Sequence, residues 1–273
     1  MLYDVKLKIA YDYDVPASGA RHMVRVMPLS IPGRQRLVAG AVSIVPQPEE
    51  RIDMTDFFGN TVTSVFFRSA HSHSEVNMQA RVQVDAPAPG LGLFCRADAI
   101  TAELQAVTDI GADSPHHFLG ESPKLRDIPT IAAYARSFYK PGLDVDEMAR
   151  AICADIHKTF KYDPVATDVD TPAAEAFELK AGVCQDFAHI MISALRSLGI
   201  PSGYVSGYLR TIPPPGKERL EGADAMHAWV RVWCGQSTGW MEWDPTNDMM
   251  AGTDHIRVAY GRDYSDVAPV IGI

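Results

Sequence analysis

The sequence predicts an α+β protein in two parts. An antiparallel β-sandwich over residues 1–86 is followed by a helices-then-strands domain over residues 126–273, with a connecting segment, 87–125, between them. Three observations carry this. Short runs dense in Val, Ile, Tyr and Phe are separated by turn residues before residue 86. A 3.6-residue apolar periodicity takes over after residue 126. Strand-like runs then return only beyond Pro201.

The N-terminal strands are expected at Leu2–Ile9, His22–Met27, Gln35–Val45, Thr61–Phe67 and Glu75–Val84. Between them lie Pro16–Gly19, Pro28–Gly33, Pro46–Glu49 and Gly59-Asn60, which carry turn chemistry. The connecting segment begins with a Pro/Gly-rich run through Gly92 and contains a short helix near Ile100–Ala106. Helices are expected from Asp127 to Phe138, from Asp144 to Phe160, and over Thr171–Leu179, where Thr171 would cap and Pro172 would take the first helical position. Cys184 to Leu198 is the clearest helix. Phe187, Ile190, Met191, Ala194, Leu195 and Leu198 form a single apolar stripe, and Gly199 and Pro201 end it. Strands follow at Ser202–Leu209, Ala225–Trp233 and Thr238–Trp243.

Composition limits the function. Of 273 residues, 47% are hydrophobic and 22% charged, enough for a real core. The net charge of -9 falls entirely on the C-terminal part. Residues 1–86 carry nine basic and nine acidic side chains, the remainder 16 and 25. That balance repels a phosphate backbone, and no basic stripe offsets it, so nucleic acid is not expected as a partner. No apolar run reaches membrane-spanning length, and charges interrupt the first 16 residues, which do not read as a secretory signal. Cysteines at 95, 153, 184 and 234 lack zinc-ligand spacing and read as reduced thiols of a cytoplasmic protein. The sequence does not decide self-association.

Cys184 opens the strongest helix, directly after Ala181-Gly182-Val183. Unpaired first-turn N–H groups and the helix dipole stabilise a thiolate there and make it a better nucleophile. The competing reading is a cysteine packed as a small hydrophobe, which suits Cys153. His227 and Asp244 lie on consecutive strands. A four-residue loop at Cys234–Ser237 would pair Trp233 with Thr238 and set His227 directly opposite Asp244, with Cβ atoms about 4.5–5.5 Å apart. A two-residue slip keeps them on one face; an odd loop separates them. Nucleophile, base and orienting carboxylate are then all available, the alternative being a structural His–Asp pair.

Other features point to bland roles. His71 and His73 share a strand face without a third ligand. His189 is too far round the helix to serve Cys184. Asp186 could pair with a base but better suits the helix N-terminus. Pro213–Arg219 reads as a surface loop bordering the cleft. Trp229 shares the His227 face and would either wall the site or sit in the core.

Several motifs together resemble the bacterial transglutaminase-like superfamily: Gly182-Val-Cys-Gln-Asp-Phe-Ala-His189, Leu198-Gly-Ile-Pro201, Ser206-Gly-Tyr208, His227-Ala-Trp229 and Trp243-Asp-Pro-Thr246. The His255–Gly272 block, with Gly261-Arg-Asp-Tyr-Ser-Asp-Val267, is similar to its bacterial branch. Phe58-Gly-Asn-Thr-Val62 is similar to the β domain preceding the core. The resemblance implies a papain-like core in which Cys184 attacks a peptide or carboxamide carbonyl and forms a thioester. His227 would exchange the proton and Asp244 orient the imidazole. The Cys184 N–H is a natural oxyanion donor. The Trp that some animal relatives place before the Cys is missing, since the first Trp is Trp229, and Gln185 and Tyr162 are candidates for a second donor. Relatives usually continue beyond residues 269–273 with a further strand. A peptide or protein substrate is expected and neither metal nor cofactor is required. Water would resolve the thioester in a protease or amidase and an amine in a transglutaminase. A binding module retaining the fold is the non-catalytic alternative, and residues 1–86 could bind a partner alongside either.

Overall fold

The computed structural model describes residues 1–86, 93–213, 215–222 and 226–272, and among these residues it has fourteen strands and six α-helices. The N-terminal strands are β1 (Leu2–Ala17), β2 (Ala20–Val24), β3 (Gln35–Val45), β4 (Glu50–Thr55), β5 (Thr61–Phe67) and β6 (His71–Val84). They form two antiparallel sheets. One has the order β1-β6-β3; the other runs β14-β2-β5-β4 and takes β14 (Val270–Gly272) from the far end of the chain. β4 is the strand the alternation does not reveal. All six of its residues are exposed, so no buried face imposes a period of two.

Helix α1 (Ile100–Ala106) falls where periodicity puts it. Residues 87–92 and Ala225, expected as linker and strand start, lie outside the described residues. α2 (Pro129–Arg136) begins with proline in its first turn, where no intrahelical donor is needed. α3 (Val145–Thr159) starts at Asp144, whose own N–H donates to Glu147 Oε2 at 3.3 Å. α4 (Ala173–Leu179) differs from expectation at its start. Pro172, not Thr171, is the flanking residue, because the Thr171 hydroxyl accepts from the Asp168 N–H at 2.9 Å and is turned away from the helix. Short β7 (Lys161–Tyr162) and β8 (Ala181–Gly182) run parallel just before α5 (Cys184–Ser197).

The second domain's sheet is antiparallel, in the order β12-β11-β10-β9-β13. Its strands are β9 (Ser202–Leu209), β10 (His227–Trp233), β11 (Trp240–Asp244), β12 (Met249–Met250) and β13 (His255–Gly261), with α6 (Tyr264–Val267) following. α5 packs on β9 and β10 and is covered on its other sides by α2, α3 and α4. The single stripe expected from its sequence is therefore corrected: every residue from Cys184 to Leu195 is buried. The polar positions lie inward because each outer face meets another helix. One apolar core joins Val24, Val42 and Met78 of the N-terminal sheets to Ile152, Ile190 and Val230 of the second domain.

Candidate active site

Cys184 is the first residue of α5. Before it, Gly182 is required by space, since a Cβ there would overlap the Asp186 carboxylate. That carboxylate accepts from the Val183 N–H at 2.8 Å and the Thr167 hydroxyl at 2.6 Å. Asp186 therefore caps the helix by holding the Val183 N–H. The first intrahelical bond is Phe187 N–H to the Val183 carbonyl.

The His–Asp pair forms by a register other than the expected one. Trp233 pairs with Trp240, because residues 234–239 make a six-residue loop closed by Cys234 N–H to the Gly239 carbonyl at 2.8 Å. Gly235 and Gly239 supply its left-handed turns, at φ 96° and 71°. The two-residue slip preserves the face. His227, opening β10, and Asp244, closing β11, meet diagonally, with Nε2 to Oδ2 at 2.9 Å.

Asp244 is fully buried and saturated. Its Oδ2 also accepts from Asn247 Nδ2 at 2.8 Å and from His255 Nε2 at 3.1 Å, and its Oδ1 accepts from the Thr246 and Asn247 N–H groups at 2.9 and 3.2 Å. His255 Nδ1 accepts from the Gly252 N–H, so its proton sits on Nε2 and points at the carboxylate. Burial alone would raise the Asp244 pKa, but His227 above all, then His255, holds it well below the usual carboxylate range. Burial would likewise lower the His227 pKa. The Asp244 charge and, after it, Cys184 overcome this and raise it from 6.5 to about 10. With Nε2 bonded to Asp244, His227 Nδ1 is buried and lacks a hydrogen-bond partner, and His227 lines the same cavity as Cys184.

Trp229 belongs to the core. Its ring stacks on His227 at 6.2 Å, meets His255 edge-on at 5.1 Å, and is fully buried. Its indole N–H donates to Glu242 Oε2 at 2.8 Å, so it offers nothing to an oxyanion. Gln185 lines the cleft, with its side-chain N–H donating to the Val169 carbonyl at 3.1 Å. Tyr162 pairs with Gly182 on the β7–β8 ribbon, its ring 6.4 Å from Phe187.

Sequence reasoning missed two residues. His255 shares Asp244 from two strands beyond His227, and no local pattern announces that. Glu242 joins Trp229 to Arg257 Nε at 2.9 Å, to Arg34 of the N-terminal domain at 2.8 Å and to the Tyr260 hydroxyl at 3.2 Å. The remaining histidines keep bland roles. His189 is buried and accepts from the Tyr264 N–H, and His73 pairs with Asp12 on an exposed strand. No cluster of three metal-ligating side chains and no helix long and apolar enough to cross a membrane occur among the described residues. Cys184 and His227 open onto a cleft of about 540 Å³, whose opposite wall is Leu7–Ala10 of β1.

The fold and this constellation define a transglutaminase-like core. Residues 132–245 match the model of the transglutaminase-like superfamily, and residues 3–83 match the bacterial transglutaminase-like N-terminal region. An uncharacterized protein of Mycobacterium tuberculosis is 36% identical over 246 residues, covering 88% of this chain and 77% of that protein. One of Mycobacterium leprae is 31% identical, covering 96% and 89%. The chain belongs to the transglutaminase-like superfamily. Its fold matches the crystal structure of "a Putative Cysteine Protease from Cytophaga hutchinsonii" with a TM-score of 0.72 at 21% identity, covering 100% of this chain and 88% of that one.

Proposed function

We propose that the protein hydrolyses a peptide or carboxamide bond through a thioester on Cys184. The observation that carries this reading is the division of labour on His227, with one nitrogen committed to Asp244 and the other left for the thiol. With the thiol proton held on His227 Nδ1, the Cys184 sulfur attacks the carbonyl carbon. The developing oxyanion is stabilised by the Cys184 N–H and the positive end of α5. The tetrahedral intermediate collapses, the C–N bond breaks, and the imidazolium returns its proton to the leaving amine. Water then gives a proton to His227, attacks the thioester, and releases the acid and the thiol. Asp244 stabilises the imidazolium in both halves of this cycle. We place the reaction in the cytoplasm, a reading supported by four free, buried cysteines.

The test is iodoacetamide alkylation of Cys184, followed by peptide mass mapping from pH 4 to 9. Burial pushes the other three thiols up, so Cys95, Cys153 and Cys234 serve as slow internal controls. Wild type should alkylate at Cys184 well below the free-thiol midpoint of about 8.5, and His227→Ala should lose that reactivity. Ordinary thiol behaviour in both proteins refutes the reading.

A further inference from the structure

We propose that the substrate is an extended polypeptide segment whose main chain adds as a strand to the open edge of β1, which leads it into the Cys184 cleft. This rests on the catalytic reading above and names the substrate class of that site.

β1 lies at the end of the β1-β6-β3 sheet, bonded to β6 on one side only. It lines the cleft with four consecutive residues, Leu7 to Ala10. A strand that presents a face contributes alternate residues, whereas one that presents its edge contributes consecutive ones. The neighbouring cavity, about 510 Å³, is lined by the six consecutive residues Leu2 to Leu7, so the two cavities adjoin at Leu7 and β1 runs as one edge along both. Across that edge, β9 supplies Tyr204 and Ser206 in the cavity with Cys184, then Tyr208 and Leu209 in the neighbouring one. The eight steps between the nine residues Leu2 to Ala10, at about 3.4 Å each, give an edge of roughly 27 Å, long enough for about eight extended substrate residues.

The backbone groups on this edge can be assigned. Met1 and Val84 exchange both main-chain bonds, at 2.6 and 2.8 Å, and the antiparallel register is unbroken from there to Asp12. Bonded and non-bonded pairs alternate along such a ladder. Tyr3, Val5, Leu7 and Ile9 therefore bond to β6. Leu2, Asp4, Lys6, Lys8 and Ala10 turn their N–H and C=O groups to the open edge. Main-chain pairing of this kind recognises any extended chain, with side-chain pockets adding selectivity. The last of these outward groups, at Lys8 and Ala10, stand in the cavity that holds Cys184 and His227.

The test uses the inert Cys184→Ala protein with excess reduced, carboxymethylated casein as an unfolded probe, and amide exchange is read residue by residue. Exchange at Lys6 and Lys8 should slow at least tenfold with casein bound. In active protein, Lys8→Pro and Ala10→Pro each remove an outward N–H, as an edge strand tolerates. Each should raise KM for casein at least tenfold while the pH profile of Cys184 alkylation stays in place. Unchanged exchange at Lys6 and Lys8, or unchanged KM in both proline variants, overturns the proposal. If Cys184 alkylates as an ordinary thiol, the catalytic reading itself has failed. An activated Cys184 with unprotected β1 amides refutes strand addition alone.

Discussion

Asp244→Asn tests the site most directly, because five hydrogen-bond donors converge on the two carboxylate oxygens. Three side-chain donors address Oδ2 and two backbone N–H groups address Oδ1. An asparagine must place its NH2 against one set or the other, so at least two donors meet a donor. Hydrogen bonds to a charged acceptor contribute about 1.5–3 kcal/mol each, which puts the loss at about 3–6 kcal/mol. The proton on His227 gives an independent figure. Its pKa is raised from 6.5 to about 10, chiefly by Asp244 working against burial. At pH 7 the three-unit gap to the folded value corresponds to about 4 kcal/mol. Because the folded pKa lies above the unfolded one, this stability is fully present below about pH 6.5 and is lost as pH rises through about 10. Urea unfolding at pH 7 and pH 10.5 reads both effects. The variant should be about 4 kcal/mol less stable at pH 7, and the gap should shrink by more than half at pH 10.5. Cys184 alkylation at pH 6 should fall to that of a free thiol. A loss under 1 kcal/mol at pH 7, or an equal gap at both pH values, refutes the buried imidazolium–carboxylate pair.

Two further perturbations follow. Gly222 and Gly216 both have φ near 77°, yet a Cβ at 222 would lie 2.5 Å from His227 Nδ1 while one at 216 meets nothing within 4 Å. Both Gly→Ala changes should cost about 1–2 kcal/mol of backbone strain. Only Gly222→Ala should depress Cys184 alkylation at pH 6, by at least tenfold, and equal effects would show that the contact is immaterial. Glu242→Gln should cost about 3–5 kcal/mol in urea unfolding, because it leaves the guanidinium of buried Arg257 without its charge partner. Arg34→Ala, at a half-buried partner of the same carboxylate, should cost less, and the reverse order would count against Glu242 as the hub.

The place of Cys184 at a helix start was legible because such a start is written locally, in the glycine before it and the apolar run after it. The shared face of His227 and Asp244 was legible because strand faces repeat every two residues, and that period survives a two-residue slip. The exact register was not, since it depends on the turn geometry of Gly235 and Gly239. The all-round burial of α5 was also hidden. Gln185, Asp186, His189 and Ser193 read as a polar face until neighbouring helices enclose them. His255 and Glu242 act between β11 and β13, which are not neighbours in the sheet, and such pairings leave no local period. Trp229 left two roles open in the sequence, and the destination of its indole N–H decides for the core.

Pairing and side-chain contacts join the parts on either side of the compositional break near residue 86. β14, from the end of the chain, completes the N-terminal sheet by pairing with β2, Val270 opposite Val24. Gln35 fastens the two parts by donating to the Arg257 carbonyl and accepting the Arg257 N–H, both at 2.8 Å, and Asn60 does the same with Tyr260. Arg34 reaches Glu242, whose other oxygen holds Trp229 beneath the two imidazoles. The position of His227 thus depends, through three consecutive side-chain contacts, on a residue of the β domain. The wall facing Cys184 comes from that domain as well. A core that must hold a buried imidazolium needs its surroundings fixed, because the charge is tolerated only while its partner keeps hydrogen-bond geometry. Docking the β domain against the second domain's sheet supplies that rigidity, and the same docking walls the cavity beside Cys184 with β1.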